Sequence, residues 1–339
     1  MRLTVVHETK YEYEHAVEQA HHIAHLRPLA SASQQLMAHE LTIEPKPESL
    51  GYSLDSYGQQ RVYFELAMPH DELVVTARSE VITHALPPEL TGKLERVVLP
   101  ESLPWEAVAE HMQYFAGQDF DAAREFAQPS PLAPIHATFA TYASAVSTKA
   151  QPIYELAKAL CQRIHTEFKY SPEATDVSTE PLEALKLKEG VCQDFAQVMI
   201  AGLRSLGLAA RYVSGYLLTQ PPPGKPRLIG ADASHAWVSV YCPKSGWLDF
   251  DPTNNCLAGE SHVKLAYGRD YSDVPPLRGI IRGGGSHKLD VAVTVSPASD
   301  AVTPSPTTNP SQSQRQSQTQ GQSQTQGQSQ TQGQSQTQT

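Results

Sequence analysis

The sequence predicts an α+β protein, and three observations carry that prediction. Residues 1 to about 86 are rich in Val, Tyr, Thr and Leu in alternating runs, the mark of strands. From Leu103 the texture turns helical, and two apolar stripes at helical spacing are followed by two further strand-like runs. Near Ala301 the composition collapses to Ser, Thr, Gln and Pro. The expected organisation is an N-terminal antiparallel β domain over 1–86, a helical connection over 87–150, an α/β unit over 151–297 that closes on a C-terminal strand, and a disordered tail over 298–339.

In the first part, Leu3–Tyr13, Leu41–Ile43, Arg61–Leu66 and Leu73–Val81 read as strands. Pro45-Lys46-Pro47, Tyr57-Gly58 and Pro69-His70-Asp71 supply the turns between them. His21 and His22 are adjacent, so a strand would point them to opposite faces, and the pair reads as surface chemistry rather than a metal site. Pro104 suits a first helical turn. Over about 152–168, Ile153, Leu156, Ala157, Leu160, Cys161, Ile164 and Phe168 form one apolar stripe, which makes Cys161 a packing residue.

Charge and composition exclude several classes. With 26 Lys+Arg against 36 Asp+Glu the chain carries −10, which argues against a nucleic-acid partner. No run reaches the roughly 18 apolar residues of a membrane helix. The N-terminus Met1-Arg2-Leu3-Thr4-Val5-Val6-His7-Glu8 is interrupted by charge before a signal-peptide core can form, so the expected location is cytoplasmic. Four cysteines, Cys161, Cys192, Cys242 and Cys256, contain no C-x-x-C pair, which fits a reducing compartment and neither a zinc ribbon nor a disulfide scaffold. From Ala301 on, the tail has one charge, Arg315, and repeats Ser-Gln-Thr-Gln-Gly-Gln three times from Ser317; it lacks the apolar surface to offset the entropy of ordering.

Three segments carry chemistry. In Gly190-Val191-Cys192-Gln193-Asp194-Phe195, a helix is expected from Cys192 to about Leu206, because Phe195, Met199, Leu203 and Leu206 recur at helical spacing and Gly207 suits a left-handed cap. A thiol at a helix start meets the positive end of the dipole and unpaired N–H groups, which favour the thiolate and offer donors to an oxyanion. Asp194 in that first turn complements the same dipole. Ser234-His235-Ala236-Trp237-Val238-Ser239-Val240-Tyr241 reads as a strand, as does Gly246-Trp247-Leu248-Asp249-Phe250-Asp251, with a turn at Pro243-Lys244-Ser245. If Cys242 pairs with Gly246 across a three-residue loop, Asp251 is the diagonal neighbour of His235 on one face; an even loop would turn it to the other face. Thiol, imidazole and carboxylate are the parts of a papain-like acyl-transfer site.

These segments, together with Ala209-Ala210-Arg211-Tyr212-Val213-Ser214-Gly215-Tyr216, Phe250-Asp251-Pro252-Thr253-Asn254, Gly268-Arg269-Asp270-Tyr271-Ser272-Asp273 and the N-terminal His7-Glu8-Thr9-Lys10-Tyr11-Glu12-Tyr13, resemble the transglutaminase-like superfamily in its bacterial branch. The resemblance implies a papain-like α+β core with Cys192 as nucleophile, His235 as base and Asp251, rather than Asp249, as the orienting acid. Gln197 and Ser239 stand where that family often has His and Glu. Trp237, Arg269, Asp270 and Tyr271 are the candidate substrate contacts, the loop residues having an internal salt bridge as their alternative use.

The implied activity is a cysteine peptidase or amidase working on peptide or isopeptide amides without cofactor or metal. A protein-glutamine transglutaminase and a catalytically silent binding module on the same fold are the alternatives. Hydrolysis leads because no calcium loop of the D-x-D-x-D-G type is present. The expected partner is a peptide or protein substrate, with neither nucleic acid nor membrane; the sequence leaves the oligomeric state open.

Overall fold

A computed structural model describes residues 1–117, 119–219 and 234–298. The tail beyond residue 298 and Asp232 and Ala233 before His235 lie outside the described residues. The architecture is α+β, built on two antiparallel sheets and a helical layer.

Five strands open the chain: β1 (Arg2–Ala24), β2 (Gln34–Glu44), β3 (Ser49–Leu54), β4 (Gln60–Leu66) and β5 (His70–Thr83). Strand β1 is much longer than its first apolar run suggests, because burial alternates on odd residues from Leu3 to Tyr13 and resumes, after a register shift between Val17 and Gln19, on the even residues Ala20, His22 and Ala24. This alternation separates the two adjacent histidines. His21 meets Tyr63 at the surface (2.6 Å), whereas His22 is buried and stacked on Phe64 at 4.9 Å. The surface reading of the pair therefore holds only for His21.

Helices α1 (Trp105–Met112), α2 (Ala137–Ser144), α3 (Ile153–Glu167), α4 (Pro181–Leu187) and α5 (Cys192–Ser205) follow. A two-residue β6 (Lys169–Tyr170) pairs in parallel with β7 (Glu189–Gly190). Every member of the stripe from Ile153 to Phe168 is buried, Cys161 among them. Helix α5 goes further than its stripe foretells: Cys192 to Arg204 are all buried, so it is the central helix of the core rather than an amphipathic one. It packs against α2, α3 and α4 and against the second sheet.

That sheet has the order β11-β10-β9-β8-β12, from β8 (Ala210–Leu217), β9 (Ser234–Cys242), β10 (Gly246–Asp251), β11 (Cys256–Leu257) and β12 (His262–Gly268). Its outer edge, β12, is covered by the first part of the chain. The Gln34 amide bonds Lys264 at both its N–H and C=O, and the Gln59 amide does the same at Tyr267. His7 on β1 bonds the Tyr216 hydroxyl at 2.9 Å, a further tie between the sheets.

The last strands, β13 (Leu277–Gly283) and β14 (His287–Pro297), pair with β1 and not with the second sheet. The strand expected to close the α/β unit therefore completes the first sheet. Each half of β1 is flanked on both sides: residues 2–12 by β5 and 3–13 by β14, then 20–24 by β4 and 17–24 by β13. Gly283, Gly284 and Gly285, all at positive φ, form an irregular link that carries the chain straight on from β13 into β14 along the same edge of β1, and a Cβ on Gly283 would meet the Ala16 carbonyl at 2.8 Å. Val293 and Val295 of β14 join Leu3, Val5 and Val81 in the same apolar cluster as α3 and α5, so the two sheets share one core.

Candidate active site

The site forms where the start of α5 meets the start of β9. Helix α5 is held at this end by Asp194, whose Oδ2 accepts from the Val191 N–H (2.8 Å) and the Thr175 hydroxyl (2.6 Å). Gly190 makes room for that cap, since a Cβ there would lie 2.4 Å from the same oxygen. Burial holds the Asp194 carboxyl above its ordinary range, against the pull of these two donors. The residue serves the helix start and not the cleft.

The hairpin of β9 and β10 has the three-residue loop that the triad reading requires. Gly246 pairs with Cys242, Asp249 with Ser239 and Phe250 with Val238. Asp251 thus ends β10 on the face of His235, and His235 Nε2 meets Asp251 Oδ2 at 2.7 Å. Nδ1 is left as the ring nitrogen for Cys192, which lines the same cleft as His235 and favours the charged form of the imidazole. Both His235 and Cys192 are 7% exposed and line one open cleft.

Asp251 itself is fully buried and acts as a multiple acceptor. Its Oδ1 takes the backbone N–H groups of Thr253 and Asn254; its Oδ2 takes His235, the Asn254 amide (2.7 Å) and His262 Nε2 (3.1 Å). Burial alone would raise this carboxyl, but the two histidines and their hydrogen bonds outweigh it and hold the acid well below the usual carboxylate range. For His235, burial alone would lower the imidazole; the Asp251 charge and hydrogen bond, with Cys192, overcome it and shift the ring upward.

His262 and Asn254 are the members of this constellation that the sequence did not disclose as such. His262 belongs to β12, two strands from β9 across β8, and only that long-range pairing brings it to Asp251. The ligand atoms of His235, Asp251 and His262 lie within 4.8 Å of one another, a spacing that a metal ion also accepts. Here both histidine nitrogens approach one carboxylate oxygen at hydrogen-bonding distance.

The four candidate substrate contacts divide. Tyr271 lines the cleft, edge-on to Tyr212 at 6.2 Å. Trp237 does not: it is 0% exposed, packs on His235 and His262, and donates from Nε1 to Asp249. It fits there because Gly215 lies beneath it, where a Cβ would stand 2.5 Å from the indole. Arg269 turns inward to grip Asp273 with Nε and Nη2, both at 2.9 Å, which is the internal salt bridge weighed as its alternative. Asp270 is buried, accepts from Ser272 and from the Leu132 N–H, and so anchors the loop. The buried Arg204 ties the same loop down, donating to the carbonyls of Phe126, Ala210 and Arg269 and to the Ser130 hydroxyl. Among the described residues, no helix is long and apolar enough to cross a membrane.

Comparison with known proteins gives this arrangement its relatives. The description "Transglutaminase-like superfamily" matches residues 140–252, and "Bacterial transglutaminase-like N-terminal region" matches residues 3–82. An uncharacterized protein of Mycobacterium tuberculosis is 41% identical over 301 residues, covering 87% of this chain and 93% of its own. A protein-glutamine gamma-glutamyltransferase of Pseudomonas aeruginosa is 37% identical over 108 residues, 31% of this chain and 16% of that protein. A solved structure from Cytophaga hutchinsonii, whose name proposes a cysteine protease, superposes with a TM-score of 0.65 at 20% identity over 90% of this chain and 93% of the other. With the fold, the converging side chains and these matches together, the chain belongs to the transglutaminase-like superfamily and carries the N-terminal region of its bacterial members.

Proposed function

We propose that this chain is a thiol-dependent acyl-transfer enzyme acting on peptide or isopeptide amides, in its leading form a cysteine peptidase or amidase. The observation that carries the reading is the placement of Cys192 and His235 in one open cleft, with His235 hydrogen-bonded to Asp251 behind it. In this mechanism the Cys192 sulfur attacks the amide carbonyl carbon and its proton passes to His235. The N–H groups at the start of α5 take the developing oxyanion charge. Collapse breaks the C–N bond, the imidazolium returns its proton to the leaving amine, and a thioester remains. Water activated by His235 then releases the acid, and the thiol is regained. Asp251 holds the ring in one tautomer and stabilises its charge throughout.

A second reading has its own support. The Pseudomonas aeruginosa relative is named as a protein-glutamine gamma-glutamyltransferase, and in that case an amine rather than water resolves the thioester. The four free cysteines support the cytoplasm as the working compartment.

The test uses wild type and Cys192→Ala with a peptide library, with and without a primary amine, read by mass. Cleaved amide bonds mark hydrolysis and an amine adduct marks transfer, each expected only from wild type. Equal activity in both proteins would refute the mechanism. Iodoacetamide should label Cys192 far faster than Cys256; equal labelling would favour the silent binding module.

A further inference from the structure

On the reading just given, we propose that His262 is a positioning residue for this site: it donates to the same Asp251 oxygen that receives His235, and so fixes the plane of the carboxylate on which the base depends.

The ring of His262 is held from three directions. Its Nδ1 accepts the Gly259 N–H at 3.2 Å, inside a turn closed by the His262 N–H on the Gly259 carbonyl (2.9 Å). That bond puts the ring proton on Nε2, which is the atom facing Asp251 Oδ2 at 3.1 Å. The indole of Trp237 closes the third side, edge to face at 5.2 Å and 78°. The residue is buried, and both nitrogens have partners, so the imidazole sits in one orientation.

Asp251 needs such a clamp on its inner oxygen. Oδ1 is fixed by two backbone N–H groups, but Oδ2 has only side-chain donors: His235, Asn254 and His262. Of these, His235 is the group to be positioned and Asn254 is half-buried on a loop. His262 lies on β12, whose outer edge is pinned by Gln34 and Gln59, so it is the donor set on the most rigid support. Were His262 only a filler, an apolar side chain would serve this space without the desolvation of two polar atoms.

The two halves of the imidazole can be separated by substitution. His262→Asn keeps an oxygen where Nδ1 receives the Gly259 N–H but ends short of Asp251. His262→Gln places an amide N–H at the Nε2 position and reaches Asp251. If the residue merely supported the turn, Asn would be the better replacement. If it positions the carboxylate, Gln is.

The experiment measures the iodoacetamide rate constant of Cys192 at pH 7, and kcat and KM on the best peptide from the library. All are taken at a temperature where circular dichroism shows each variant folded. A hydrogen bond to an ionised partner corresponds to roughly tenfold to hundredfold in rate. His262→Asn should therefore lower alkylation and kcat about tenfold or more with KM unchanged, and His262→Gln should stay within about threefold of wild type. Folded His262→Asn with wild-type rates, or His262→Gln as slow as His262→Asn, overturns the proposal while leaving the triad intact. A wild-type Cys192 no more reactive than Cys256 removes the triad reading itself, and this proposal with it.

Discussion

Replacing Asp251 by Asn removes one charge and almost no volume, so its effect reports what the carboxylate does. Five donors converge on this side chain and it donates to none. An Asn oxygen can keep the two backbone N–H groups of Thr253 and Asn254, but its NH2 then faces His235, His262 and the Asn254 amide. His235 must turn its proton to Nδ1, toward the thiol, which leaves no lone pair to receive the Cys192 proton. Loss of a hydrogen bond to a charged group costs about 1.5–3 kcal/mol, and a wrong tautomer of a triad histidine costs on the order of 10⁴ in kcat. Asp251→Asn should thus lower kcat by about three to four orders of magnitude and slow Cys192 alkylation at pH 7 by at least about tenfold. Stopped-time alkylation with peptide mapping, alongside peptide turnover, measures both. A folded Asp251→Asn protein with wild-type alkylation and turnover would show that the imidazole works without its acid, and the reasoning would fail.

Acid should destabilise the protein in two windows. Burial lowers His7 and His22 to about 4 while their ordinary value is 6.5, so the stability due to the neutral rings is complete above about 6.5 and is lost as pH falls toward 4; for each this is about 2 kcal/mol at pH 5. Asp251, held below its ordinary range, contributes above about 3.8 and loses that contribution as pH falls further. Urea midpoints across pH 4–8 check the first window, and His22→Phe, which keeps the stack on Phe64, should remove about half of it. Gly215→Ala should displace both the Val263 carbonyl of β12, which a Cβ would meet at 2.2 Å, and the indole of Trp237, so that urea stability falls and kcat drops about tenfold or more; urea denaturation and peptide turnover check the two. Arg204→Met should lower unfolding free energy by about 3 kcal/mol or more, because it leaves four buried acceptors without their donor; urea denaturation checks it.

What was legible in the sequence follows the range of the interactions. The stripe from Ile153 to Phe168, the helix opening at Cys192 and the hairpin register between Cys242 and Gly246 are local patterns, and all three stand in the fold. The odd loop alone decides that Asp251 and His235 share a face. His262 was invisible for the opposite reason: it reaches Asp251 through β8, 45 residues upstream of its own strand pairing, and nothing in Ser261-His262-Val263 marks it. Trp237, Arg269 and Asp270 were assigned from loop and motif position, and the structure gives them internal partners instead, since an aromatic or charged residue beside a site is as readily part of its wall as of its contact surface.

Strand β1 has a consequence for how the protein is made. Its partners on one side, β13 and β14, are the last described strands to be synthesised, although the whole cleft is encoded before them. A chain still held at the ribosome near residue 270 owns its thiol, imidazole and carboxylate, yet β1 presents a bare edge along most of its 23 residues. Leu3 waits for Pro297, and the nascent protein must be shielded from edge-to-edge association until those last two strands arrive.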